Sequence, residues 1–255
     1  NANMETKIKL YNALLKPSLL TGLNALTIRG PSLERICQYE KQILRKFFNM
    51  RKKTSSVWGI YKLLGMIPIE GVLHQNVLSL FHSNWTNRNT SMFKLLRYQL
   101  EGDSKSYMWI HHVKHLCKLY GLPDPRQMLA VEAPSKQEWK KYVKSKVKQY
   151  YEKKIDRSLS TMSTCKILSK KKTDLNGKMD GVLTGGTTFS ENNAIIVNAK
   201  MLIDEYTNNK FLYRLGKSVK KNCKWCRLKE DDNEHIVTEC SLLHTEQLKG
   251  QYKKV

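Results

Sequence analysis

The chain has 255 residues, 40% of them hydrophobic, enough to bury a sizeable core in one large and one small domain. Lys and Arg number 45 against 22 Asp and Glu, a formal charge of +23 that argues against a merely solvated surface. It points to a polyanionic partner, nucleic acid ahead of an anionic membrane face. No signal peptide and no apolar run long enough to cross a bilayer is visible, so the expected setting is intracellular, nucleus and/or cytoplasm, with no membrane partner.

Over 7–20 the apolar residues Ile8, Tyr11, Leu14, Leu15 and Leu19 recur at helical spacing. Pro17 inside that run predicts a kink or interruption near its middle. After the punctuation of Gly30-Pro31-Ser32, a second helix is expected on Leu33, Ile36, Cys37, Glu40, Ile43, Leu44 and Phe47. It ends in a basic cluster of Arg45, Lys46, Arg51, Lys52 and Lys53, more cations than complementing a helix dipole needs, and so candidate nucleic-acid contacts.

Trp58, Tyr61 and Leu64 form a short helical stripe closed by Gly65, and Pro68 opens another helix on Ile69, Val72, Leu73, Val77, Leu80 and Phe81. His74 and His82 read as ordinary helix residues. A further helix is expected over 92–100. Ser106 is placed to cap the next one, on Ile110, Val113, Leu116 and Tyr120, with Gly121 and Pro123 as stop signals. His111 and His115 share a face of it, but position 112 is His where a metalloprotease helix carries Glu, so a surface role is preferred to a metal site.

Ser135 and Glu138 have capping-box spacing and open a long helix with Trp139, Val143, Val147 and Tyr150 on one face. Lys140, Lys144 and Lys148 recur every four residues on a neighbouring face, among Lys141, Lys146, Lys153 and Lys154. Such a row repels itself in isolation and is relieved by a phosphate backbone, against the alternative of a plain solvated face. Residues 170–190 carry Asn-Gly, Asp-Gly and Gly-Gly pairs and read as a linker or flexible hairpin. One more helix is expected on Ile195, Val197, Met201, Leu202, Ile203 and Tyr206.

The last element is the most specific. Cys223, Cys226, His235 and Cys240 have the spacing C-x2-C-x8-H-x4-C, three sulfurs and one nitrogen suited to tetrahedral Zn²⁺. Four protein donors leave no position for water, so the expected zinc is structural, and its binding contributes folding free energy to a segment with little core. Cys37, Cys117 and Cys165 lie apart in apolar contexts and read as core thiols; the grouping of the rest points to a reducing compartment rather than a disulfide scaffold. The expected fold is therefore all-α, with residues 1–86, 87–169, 170–190 and 191–255 as successive blocks.

Several of these segments resemble the C-terminal region of non-LTR (LINE-type) retrotransposon reverse transcriptases. The run from Lys7 to Gly22 with its embedded Pro17 is similar to the helix that follows the palm. Tyr39 to Lys46 resembles the next thumb helix, and Leu63 to Glu70 the Gly-x-x-Pro element after it. Tyr120 to Pro123 and the Cys-Cys-His-Cys knuckle are also similar. Lys224 stands where family knuckles often have Pro, and Thr21 where they have Tyr. No Phe/Tyr-x-Asp-Asp motif occurs; the pair Asp231-Asp232 lies inside the zinc loop and reads as a turn.

The resemblance implies a helical thumb-like bundle, a basic helical connector and a C-terminal zinc knuckle. The thumb would grip the template–primer duplex through phosphate and sugar, and the knuckle would contact element RNA or target DNA. Lys220, Lys221, Lys224, Arg227 and Lys229 would supply its charge. Trp225 is placed either to stack on an unpaired base or to pack in the knuckle's small core. Asn1 at the start, where Met is usual, leads us to expect palm and fingers upstream. Without the paired aspartates the chain by itself is expected to be no enzyme. One alternative is a domesticated structural RNA-binding protein of a ribonucleoprotein. Another, a hydrolase built on His111, His112 and His115, lacks a carboxylate base.

Overall fold

Five residues at the start of the chain set the register of its first helix differently from simple periodicity. In the computed structural model, which describes residues 3–50, 56–101, 109–162, 165–186 and 188–242, α1 (Met4–Leu10) and α2 (Lys16–Leu20) are joined by a single π-helical turn, Tyr11–Leu15. Its closing bond runs from the Lys16 N–H to the Tyr11 carbonyl. A π turn inserts one residue and rotates everything after it by about 100°. The buried positions are thus Met4, Ile8, Tyr11, Lys16 and Leu20, while Leu14 and Leu15 are 60% and 48% exposed. The interruption expected near Pro17 takes the form of this π turn, with the chain continuing as helix through the proline. Pro17 sits at the start of α2, where the wider turn accommodates its missing N–H and its ring.

Further helices follow in order: α3 (Gly30–Phe47), α4 (Val57–Leu64), α5 (Ile69–Thr86), α6 (Ser91–Glu101), α7 (Trp109–Tyr120), α8 (Pro125–Ala130), α9 (Lys136–Ser160), α10 (Lys166–Ser169), α11 (Phe189–Leu202) and α12 (Asn209–Arg214). The fold is all-α; among the described residues the only β pairing is one antiparallel bridge, Asn222 with Glu230. None of these helices is long and apolar enough to cross a membrane. Arg51, Lys52, Lys53 and the expected cap Ser106 lie outside the described residues.

The chain divides into two compact units, each made of separate stretches. One, the central unit, takes Thr6–Lys41 and Ile67–Lys154; the other, the C-terminal unit, takes Asn1–Glu5, Gln42–Met66 and Ile155–Val255.

In the central unit, Tyr11, Leu20, Ile69, Leu73, Phe81, Val113, Leu116 and Val147 are among the buried apolar side chains. A carboxylate is buried with them. Glu40, fully enclosed, accepts from the Tyr11 hydroxyl at 2.7 Å and from the Ile69 N–H at 2.7 Å, and lies 3.5 Å from Lys16 Nζ. Lys16 also donates to the Ile67 carbonyl at 3.0 Å. The charge therefore caps the first turn of α5, whose orphan N–H groups favour an anion.

His112 differs from the expected surface role. It is buried, its Nδ1 accepting from Arg29 Nε at 3.2 Å, and its ring meets that of His74, which is bonded to the Tyr120 hydroxyl at 2.7 Å. Burial is the main cause pushing both imidazoles down to about 4. His82 bonds the Pro134 carbonyl and stacks on Trp139.

Helix α9 buries Trp139, Val143, Val147, Tyr151, Ile155 and Leu159, with Tyr150 only half-buried. The interval is four residues, so the stripe advances about 40° per step. The residues one position on, Lys140, Lys144 and Lys148, wind with it and are continued by Glu152 and Asp156.

In the C-terminal unit, Ser56 caps α4 by accepting the Gly59 N–H, and Gly65 ends it in the left-handed conformation. Within the stretch expected to be a linker or flexible hairpin, residues 175–183 are held against that end. Gly177 N–H bonds the Gly65 carbonyl, Asp180 N–H bonds the Leu63 carbonyl, and Leu175 and Leu183 are buried. Asp156 accepts from Thr173 Oγ1 at 2.5 Å and pairs with Lys62 at 3.3 Å.

Candidate metal centre

Backbone bonds shape the loop that carries the first two cysteines. The bridge between Asn222 and Glu230 closes it, with Cys223 N–H donating to the Lys229 carbonyl and Arg227 N–H to the Cys223 carbonyl. Arg227 takes a positive φ of 58° to make the turn. The other two ligands come from a second single π turn, His235–Glu239, whose closing bond runs from the Cys240 N–H to the His235 carbonyl at 2.8 Å. An i, i+5 bond is what brings residues five apart to one end of one turn. Asp232 starts it by accepting the His235 N–H at 2.9 Å, so the Asp pair does serve a turn.

The four ligand atoms of Cys223, Cys226, His235 and Cys240 lie within 4.8 Å of one another. Cys223 Sγ is 3.9 Å from Cys240 Sγ, and Cys226 Sγ is 3.2 Å from His235 Nε2. With Zn–S near 2.3 Å and Zn–N near 2.0 Å, a tetrahedron has edges of about 3.5–3.8 Å, and the set fits such an ion. N–H groups of Leu228 and Lys229 hold the Cys226 thiol down at about 6, so a thiolate is available there, whereas burial pushes Cys223 up.

Sequence reasoning did not find the residues that support these ligands. The free His235 nitrogen, Nδ1, lies 3.7 Å from Glu239 Oε2, on the same π turn. That is longer than a hydrogen bond, and Nδ1 has no hydrogen-bond partner; Glu239 is the carboxylate within reach to orient the ring in the manner of a carboxylate–histidine–zinc set. The loop is also docked on α12 and the end of α11. Buried Asp231 accepts the Asn209 N–H at 2.7 Å, Asn208 Nδ2 donates to Asn233 Oδ1 at 2.7 Å, and Asn233 Nδ2 donates to the Met201 carbonyl and to Asp204. Asn208 also caps α12. The only signal for this in the sequence is a run of Asn and Asp.

The expected basic contacts fall into two groups. Lys221 pairs with Glu230 at 2.6 Å and Lys229 with Glu239 at 3.0 Å. Glu230 is held at about 2 by Lys210 and Lys221. Lys220, Lys224 and Arg227 are exposed, with the Lys224 ammonium 4.1 Å from the centre of the Trp225 ring, which is half-exposed. On α9, Lys140, Lys141 and Lys144 are exposed, while Lys148 is half-buried and pairs with Glu152 at 3.5 Å. Arg45 is half-buried and Lys46 exposed in the last turn of α3. Compared with protein-family models, curated proteins and solved structures, the chain gives no match.

Proposed function

We propose that this chain is the C-terminal, non-catalytic portion of a non-LTR retrotransposon reverse transcriptase, and that it binds nucleic acid through a helical thumb, a basic helix and a structural zinc knuckle. The observation that carries the reading is the convergence of three sulfurs and one nitrogen at the end of an all-helical chain of charge +23. Zinc is the ion this donor set suits, and with Cys223, Cys226, His235 and Cys240 all engaged its contribution is to hold the loop and the π turn together. The exposed ammonium groups of Lys140, Lys141 and Lys144 are then available to a duplex backbone, and half-exposed Trp225 with the Lys224 ammonium over its ring offers an aromatic surface and a cation to a single strand.

The test is a titration of the purified chain against a labelled RNA–DNA hybrid and a labelled single-stranded RNA over a range of salt. Binding to both, weakening steeply with salt, is the expected result. No binding to either at low salt overturns the reading, and so does primer extension by the chain alone, which would need metal-holding carboxylates of a kind the resemblance places upstream.

A further inference from the structure

A second basic feature lies in the central unit, on residues that belong neither to the lysine row nor to the knuckle. Arg88, just beyond α5, Arg97 on α6 and Arg126 on α8 line one cleft of about 560 Å³. Its floor includes Phe93, Leu100 and Leu129, all buried, and its one carboxylate is Glu101. The guanidinium of Arg88 is anchored on the Val131 carbonyl. Arg97 engages Glu101 at 3.2 Å, both well exposed, which neutralises the only anion of the cleft. Among the described residues the Arg126 guanidinium makes no hydrogen bond or ion pair.

Three guanidiniums from three elements thus face a space of the size that small-ligand sites occupy. Guanidinium is the planar, permanently charged fork that matches phosphate oxygens in pairs, and it is only weakly hydrated. An apolar floor under such forks excludes water from one side of a bound phosphate and strengthens the contact.

We infer that this cleft seats phosphate groups of a nucleic-acid strand, as a contact separate from α9 and the knuckle. The inference rests on the nucleic-acid reading above. The strand is favoured over a free nucleotide because the whole chain carries the charge of a polyanion binder.

The double variant Arg97→Gln/Arg126→Gln tests it in the full chain, because both side chains are exposed and Arg88, which holds Val131, is left in place. Binding of a labelled 20-nucleotide poly(U) RNA is measured against salt, beside binding of a fluorescent ATP analogue and of phosphatidylserine vesicles. The expected result is unchanged helical circular dichroism, affinity for RNA lower on the order of tenfold at 0.1 M salt, and a log K against log[salt] slope flatter by about 1.4. Wild-type affinity and slope, in a chain whose Lys140→Gln/Lys144→Gln variant does weaken, would show that the cleft takes no strand. A loss confined to the ATP analogue or to the vesicles would assign the cleft to a nucleotide or a lipid headgroup and overturn the inference. If the wild-type chain binds no RNA at all, the broader reading fails and takes this one with it.

Discussion

The Lys16 ammonium lies 3.5 Å from the Glu40 carboxylate, with the lysine side chain almost and the glutamate wholly enclosed. Burial pulls the lysine's affinity for its proton down, and Glu40 offsets part of that. The two residues are not equivalent, since Glu40 also takes the Tyr11 hydroxyl and caps α5. Glu40→Gln leaves a buried cation without its counter-charge and is expected to cost about 3–5 kcal/mol. Lys16→Met leaves the carboxylate two donors and is expected to cost about 1–3 kcal/mol. Urea unfolding of both variants checks the order; an equal or reversed pair of values contradicts it.

His74 and His112 give the fold an acid limit. Both are lowered from 6.5 to about 4 by burial, so the native state resists protons that the unfolded chain takes up. Their contribution is complete above about pH 6.5, falls as pH drops from there toward 4, and is flat below. The slope is about 1.4 kcal/mol per pH unit for each imidazole. His112→Gln, which keeps an acceptor for Arg29, should roughly halve the dependence of the urea midpoint on pH between 6.5 and 4.5.

Zinc content should be one ion per chain and should fall in Cys226→Ser. Chelation should remove amide-exchange protection from the 222–230 loop and the His235–Glu239 turn. Helix α12 should keep its protection, because Asn208 caps it without the metal. Glu239→Gln leaves all four ligands but weakens the hold on the His235 ring, and a competition titration should show zinc affinity lower by about tenfold.

On α9 the lysines are not interchangeable. Lys140→Gln and Lys144→Gln should each flatten the salt slope on B-DNA by about 0.9, and Lys148→Gln by less, because Glu152 already holds that ammonium. Trp225→Ala should cost about 1–3 kcal/mol on single-stranded RNA with the slope unchanged. An equal effect from all three lysines would mean that the Glu152 pair opens on binding.

Gly65 has a φ of +58°, and a methyl group there would run into the backbone carbonyl of Lys178. Gly65→Ala should therefore cost on the order of 2–3 kcal/mol, strained dihedral and clash together. Thermal unfolding measures it, and a near-neutral result would mean that 175–183 is not held as described.

What the sequence made legible was local. Helical spacing, the Gly65 stop, the capping box at Ser135 and the Cys-Cys-His-Cys set each depend on neighbours a few residues away, and all are present. Leu14 and Leu15 were misplaced because a π turn has no sequence mark and shifts the phase by one residue. Lys148 differs from Lys140 and Lys144 in having a partner, Glu152, four residues on in the same winding row. His112 and the segment 175–183 depend on partners far along the chain, Arg29 and the end of α4, which spacing does not report. The docking of the knuckle through Asp231, Asn208 and Asn233 is of the same kind.

The interleaving of the two units has a consequence for how the chain is made. Every stretch of the central unit has left the ribosome by Lys154, but the inserted stretch Gln42–Met66 belongs with residues synthesised later. Until then Leu44, Phe48, Ile60, Leu63 and Leu64, all buried in the finished protein, lack the larger part of the unit they belong to. Nascent chains with such uncovered apolar stretches are the ones that aggregate or recruit chaperones. A product of this stretch terminated after Lys154 would keep every segment of the central unit and carry an insert without the rest of its own unit, and should be recovered as insoluble protein.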